Sequence, residues 1–98
     1  MTVQKDAEGN ERKNLLHYAD LKQKKVLEIG CGDGRLTWKY AKLAQRVLGM
    51  DLDTPALRIA RIETPADMRL NVNFIRGDSI QLPVRSNSFD IAILAWSL

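Results

Sequence analysis

The sequence predicts an α/β fold, an open doubly wound parallel sheet of about four strands. Three observations carry this. Short apolar runs alternate with segments of helical period. The last run, Ile91 to Ala95, is apolar almost without a break. A glycine-rich turn follows the first run. Strands without polar alternation are expected where a parallel sheet is covered on both faces. Alternating strand and helix signals with short connections imply parallel strands joined by crossovers.

The elements follow in order. Residues 1–11 are polar, include Gly9-Asn10, and read as a flexible tail. Arg12 to Leu21 sets Leu15, Leu16 and Ala19 at helical spacing, and residues 12–98 read as one domain. Lys25 to Ile29 is the first strand. Arg35 to Ala44 carries Leu36, Tyr40, Leu43 and Ala44 on one face, the helical period. Val47 to Met50 is the second strand and runs into Asp51. Thr54-Pro55 starts a helix: threonine can cap the free amides and proline suits the first helical position. Ala56, Ile59, Ala60 and Glu63 continue it, and Thr64-Pro65 ends it, because proline disfavours helix in the residue before it. Val72 to Arg76 is the third strand, closed by Gly77-Asp78. Ser86-Asn87-Ser88 is a turn, and Phe89 to Trp96 is the fourth strand.

Composition narrows the function. The chain has 98 residues, at most one small domain. No run of about 18 apolar residues is present to span a membrane. The polar start lacks the apolar core of a signal peptide, which makes the cytoplasm the expected compartment. Net charge is +3, yet acids and bases alternate along the chain. The densest basic cluster, Lys22, Lys24 and Lys25, lies beside Asp20 and reads as a solvated turn, which argues against nucleic acid. The single cysteine, Cys31, excludes an internal disulfide and fits a reducing compartment. The single histidine, His17, has no metal-ligand spacing around it and reads as a partly exposed helix residue, so no metal is expected.

In open α/β sheets ligands bind beyond the carboxyl ends of the strands. Here Glu28 to Gly34, Asp51 with Asp53, Asp78, and Trp96 with Ser97 all fall at those ends. Gly30, Gly32 and Gly34 lack a Cβ, so the backbone can turn sharply and approach a ligand. A dinucleotide loop requires G-x-G-x-x-G, and Arg35 stands where its third glycine would be. Glu28 would repel a pyrophosphate but attract an ammonium or sulfonium group. Asp51 can accept hydrogen bonds from both hydroxyls of a ribose, at roughly 1.5–3 kcal/mol for each charge-assisted bond. It also disfavours a phosphate there. Asp53 precedes the helix and suits its positive end. Asp78, with Ser79-Ile80 after it, could take an adenine amino group while Ile80 packs on the base; a plain turn aspartate is the competing reading.

Taken together, VLEIGCGDGRLT, VLGMDLD, FIRGDSIQLPVRSNSFD and IAILAWSL resemble the class I S-adenosylmethionine-dependent methyltransferases, over about Lys24 to Leu98. The family loop E/D-x-G-x-G-x-G is matched at Glu28, Gly30, Gly32 and Gly34. The resemblance implies a Rossmann-like sheet with S-adenosylmethionine as cofactor. The loop, Cys31 included, would hold the methionine part. Asp51 and Leu52 would meet the ribose and its surroundings, and Asp78, Ser79 and Ile80 the adenine. Trp96 and Ser97 would stand where cofactor and substrate meet. Leu82-Pro83 and Phe89-Asp90 are also familiar there, with Asp90 structural.

The resemblance further implies a seven-stranded sheet, of which this sequence covers the N-terminal part. The fourth strand would then be an apolar open edge, and a second copy or a complementing chain is the expected partner there. The implied reaction is in-line methyl transfer to a small-molecule acceptor. The sulfonium is already activated, so the protein positions the reactants. No catalytic residue is assigned; Cys31 sits within the loop and has no partner base. The Asn-Pro-Pro-Tyr type of motif is absent at Ala95-Trp96-Ser97-Leu98, which argues against DNA adenine or glutamine N-methylation. Two rival readings are a non-catalytic binding or partner-subunit module and a NAD-binding oxidoreductase domain.

Overall fold

The computed structural model describes residues 2–7, 17–78 and 88–96, with residues 2–7 and Trp96 as backbone. All the strands lie parallel in one sheet. In chain order they are β1 (Thr2–Ala7), β2 (Lys25–Ile29), β3 (Arg46–Asp51), β4 (Val72–Arg76) and β5 (Ile91–Trp96), and across the sheet the order is β1-β5-β2-β3-β4. Helix α1 (Thr37–Tyr40) joins β2 to β3, and α2 (Thr54–Glu63) leads from β3 towards β4. Short 3-10 turns stand at Tyr18–Leu21 and Ala66–Met68. This is the expected α/β parallel sheet, with all four expected strands present.

One expectation is corrected at the N-terminus. Residues 2–7 are a strand rather than part of a tail, paired with β5 from Thr2↔Ile91 to Ala7↔Trp96. The ladder is made by backbone groups, which any side chains can supply, so polar sequence did not betray it. The β5 edge, expected to stay open for a partner, is therefore covered by the chain's own first strand. Of the expected helix at Arg12 to Leu21, the described residues hold a 3-10 turn at Tyr18–Leu21, with exposed His17 before it. Residues 12–16 lie outside the described residues, as do Ser79, Ile80, Leu82-Pro83, Ser86-Asn87 and Ser97-Leu98.

The helices also differ in detail. The segment Arg35 to Ala44 holds only the four-residue α1 between turns. Asn71 closes its far end by donating from Nδ2 to the carbonyls of Ala41 and Ala44 at 3.1 and 3.4 Å. In α2 the cap is Asp53, not Thr54: Asp53 Oδ1 accepts from Ala56 N at 3.1 Å. The buried face of α2 is Leu57, Ala60 and the following Thr64, while Ile59 is exposed.

The larger core cluster joins Val26, Val47, Phe74, Ile91 and Ile93 of the sheet to Tyr40 of α1 and Leu57 of α2. The smaller one joins Leu27, Phe89 and Ala92, with Ile29 and Leu48 packed against it. Alternate residues of β2 and β5 thus serve different faces, as strand pleating requires. Each fully buried leucine or valine contributes about 1.5–3 kcal/mol relative to an exposed one. Asp90 registers the start of the sheet: its N–H donates to Lys25 O at 2.8 Å, and its Oδ2 accepts from Lys25 N at 2.9 Å.

Candidate functional site

Parallel strands bring Ile29, Asp51, Arg76 and Trp96 to one edge of the sheet. The glycine loop stands over that edge. Gly30 N and Cys31 N both donate to Met50 O, at 2.7 and 3.2 Å, which ties the loop's start to β3. Gly34 N donates to Cys31 O at 3.1 Å and closes the turn.

The three loop glycines have different reasons to be glycine. All have positive φ, a conformation that side chains other than glycine's rarely adopt. At Gly30 a Cβ would lie 2.0 Å from Ala95 O of the neighbouring strand, so no side chain fits. At Gly34 it would meet the Trp38 indole at 2.6 Å. At Gly32 it would meet nothing within 4 Å. Packing therefore demands glycine at both ends of the loop, while the middle glycine faces open space where a ligand can approach the backbone.

Asp51 spans the site. Its Oδ2 accepts from Gly32 N at 2.7 Å and its Oδ1 from Asp53 N at 2.9 Å. Asp51 O accepts from Gly77 N at 3.0 Å, which draws the half-buried Asp78 turn to the same edge. Leu52, next to Asp51, is 52% exposed, a solvated apolar surface beside the carboxylate. The structure thus brings together the loop, Asp51, Leu52 and Asp78. It also sets the Trp96 backbone at the end of β5 beside them. Ser79 and Ile80 lie outside the described residues.

Glu28 is placed differently from the open position a direct ligand contact needs. It is fully buried, and its Oε1 accepts from Thr37 Oγ1 at 2.9 Å and from the Tyr40 hydroxyl. Two hydroxyls one helical turn apart on α1 hold a carboxylate at the end of β2, so the strand and helix that flank the loop are locked together. Sequence reasoning missed both donors. The available signal was Thr37 and Tyr40 at three-residue spacing on a face otherwise apolar.

Burial, then the charges of Glu28, Asp51 and Asp33, push the Cys31 thiol far above its ordinary range. A protonated thiol is a poor nucleophile, in keeping with Cys31 filling space in the loop. Burial and the Glu28 charge likewise raise the Tyr40 hydroxyl well above its ordinary value. No group of His, Cys, Asp and Glu suited to a metal ion occurs among the described residues. No helix among them is long and apolar enough to cross a membrane.

The site fits a cationic nucleoside cofactor better than a phosphate. Asp33, Asp51, Asp53 and Asp78 gather at this edge, which favours a sulfonium and opposes a pyrophosphate. Arg35, where a dinucleotide loop needs glycine, donates through Nε to Asp33 Oδ1 at 3.2 Å.

The comparisons agree. Residues 26–98 match the model of a family described as methyltransferase domain. The chain is 26% identical over 89 residues to a demethylmenaquinone methyltransferase of Lactococcus lactis, covering 88% of this chain and 35% of that protein. An S-adenosylmethionine-dependent methyltransferase from Mesorhizobium loti superposes with a TM-score of 0.63 and 29% identity, over 79% of this chain and 33% of that one. A phosphoethanolamine N-methyltransferase from Haemonchus contortus, solved with phosphoethanolamine and S-adenosylhomocysteine, gives a TM-score of 0.65 at 30% identity, over 74% of this chain and 15% of that one. The chain spans about a third or less of the length of these relatives. With a match that takes in the loop and every strand from β2 to β5, this chain belongs to the methyltransferase-domain family, Rossmann-like in fold, whose cofactor is S-adenosylmethionine.

Proposed function

We propose that this chain is the cofactor-holding part of an S-adenosylmethionine-dependent methyltransferase that acts on a small-molecule acceptor. The observation that carries this is the Asp51 carboxylate at the end of β3, joined to the Gly32 amide across an open-faced glycine loop. Each carboxylate oxygen has further acceptor capacity beyond its one amide, so Asp51 is suited to both ribose hydroxyls. The Gly32 backbone is suited to the methionine portion, and Leu52 with the Asp78 turn to the adenine. When bound, the cofactor supplies an electrophilic methyl group on a sulfonium. The residues here bind and orient it; none is assigned a proton transfer. Glu28, through Thr37 and Tyr40, positions the loop from beneath.

The small-molecule acceptor rests on the kind of relatives found, the demethylmenaquinone and phosphoethanolamine enzymes among them. A reducing, cytoplasmic setting rests on the lone buried thiol. Calorimetric titration with S-adenosylmethionine and S-adenosylhomocysteine tests the cofactor reading. Binding that weakens roughly tenfold or more in Asp51→Ala and is lost in Gly32→Val is expected, with no response to NADH. Absence of binding at millimolar ligand by folded protein would overturn it.

A further inference from the structure

The outer edge of β4, the last strand of the sheet order, carries a second feature. Among the described residues no strand pairs with that edge. Its free groups follow from the register. Val47 N donates to Asn71 O, and Gly77 N to Asp51 O, so the odd-numbered residues of this stretch turn their backbone groups to β3. Val72, Phe74 and Arg76 therefore turn theirs outward. Arg61 of α2 confirms the direction: its Nη2 donates to Phe74 O at 2.9 Å.

A groove of about 250 Å³ runs along this edge, lined by Arg61, Thr64, Arg69, Val72, Asn73 and Phe74. Arg61 and Arg69 line it and are exposed, Arg76 is exposed at the end of the same strand, and no carboxylate is among the lining residues. The nearby Asp67 is engaged by Lys42 at 3.1 Å. Val72 and Phe74, both buried, form an apolar floor.

We infer that the β4 edge accepts an extended acidic segment of a partner protein as an added strand. Strand addition draws affinity from main-chain hydrogen bonds and selectivity from the side chains that flank them. Here the main-chain groups are those of Val72, Phe74 and Arg76, and the guanidiniums of Arg61 and Arg69 line the groove beside them. A second copy of this chain fits poorly, because pairing the edge with itself would bring the same arginines together. A bare anion fits less well than a strand, since the groove borders the carbonyl end of α2 at Thr64. In the free protein Arg61 holds the central carbonyl and shields the edge, as charged side chains do on exposed strands. A carboxylate of the incoming strand takes the guanidinium as its backbone takes the carbonyl.

The test is titration of the isotope-labelled full chain with capped pentapeptides, Thr-Glu-Val-Glu-Thr and Thr-Lys-Val-Lys-Thr, read at individual amides. The acidic peptide shifts the amides of Val72, Phe74 and Arg76 to saturation. The basic peptide binds roughly tenfold more weakly or less, and the exposed-site double variant Arg69→Gln/Arg76→Gln weakens the acidic one about fivefold. Equal response to both peptides, no response at those amides, or the same shifts from inorganic phosphate alone would overturn it. The wild-type peptide comparison decides the matter even if the double variant fails to fold.

Discussion

Asp51 Oδ2 accepts a hydrogen bond from Gly32 N at 2.7 Å, so the acid at the end of one strand holds the loop that leaves its neighbour. A single carboxylate thus couples the two halves of the proposed cofactor site. Asp51→Ala removes an acceptor from two backbone amides as well as from the ligand. A stability loss of about 1–3 kcal/mol is expected from the amides. S-adenosylhomocysteine affinity should fall roughly ten- to a hundredfold, at about 1.4 kcal/mol per decade. Denaturant melts and calorimetry measure the two separately; unchanged affinity in the folded variant would remove Asp51 from the site.

The loop glycines should respond in different ways. Gly30→Ala sets a Cβ 2.0 Å from Ala95 O and should prevent folding. Gly32→Ala meets only the cost of its positive φ, about 1 kcal/mol, and should still fold while binding ligand less well. Comparing melting midpoints with ligand titrations distinguishes the two. A Gly30→Ala protein as stable as wild type would contradict the packing described.

Alkaline pH should destabilise the fold through Cys31 and Tyr40. Both hold their protons in the folded state more tightly than when unfolded. Their contribution is therefore complete below the unfolded values, about 8.5 for a thiol and about 10 for a tyrosine, and falls as pH rises beyond them. Stability measured from pH 7 to 11 should begin to drop near the thiol value. Cys31→Ala should move that onset up towards the tyrosine range. The same buried thiol should react with a thiol reagent only as fast as the protein opens.

Tyr40→Phe removes one of two hydroxyls from the buried Glu28 carboxylate while keeping the ring in the core. A loss of about 1.5–3 kcal/mol is expected, the range for hydrogen bonds to charged groups. Thr37→Val should cost a similar amount. If either variant melts with wild type, Glu28 is not held as described.

Capping separates two adjacent residues. Asp53→Ala should cost about 1 kcal/mol by leaving the Ala56 amide without its acceptor. Thr54→Ala should lie within about 0.5 kcal/mol of wild type, as for a surface substitution away from such features. Thermal melts of the pair check this, and the reverse order would restore Thr54 as the cap.

Much of this molecule was legible from its residues. The segments Lys25 to Ile29 and Val72 to Arg76 match their strands at both ends, because the short runs of Val, Leu, Ile and Phe in them are the residues that the covered sheet buries. Gly30, Gly32 and Gly34 declared a sharp loop, because positive φ and close approach leave little choice of residue. Family membership followed from that loop with Asp51 and Asp78. Other features depended on partners distant in the chain. Whether Glu28 faced a ligand or the interior was decided by Thr37 and Tyr40 rising from α1 to meet it. β1 was invisible because a backbone ladder to β5 leaves no mark on side-chain pattern. The guarded edge at Arg61 arose only when α2 packed on β4. Local sequence determined where the chain is extended, helical or turned; the tertiary structure decided which polar groups face each other, because those pairings join residues whose spacing along the chain carries no periodic signal.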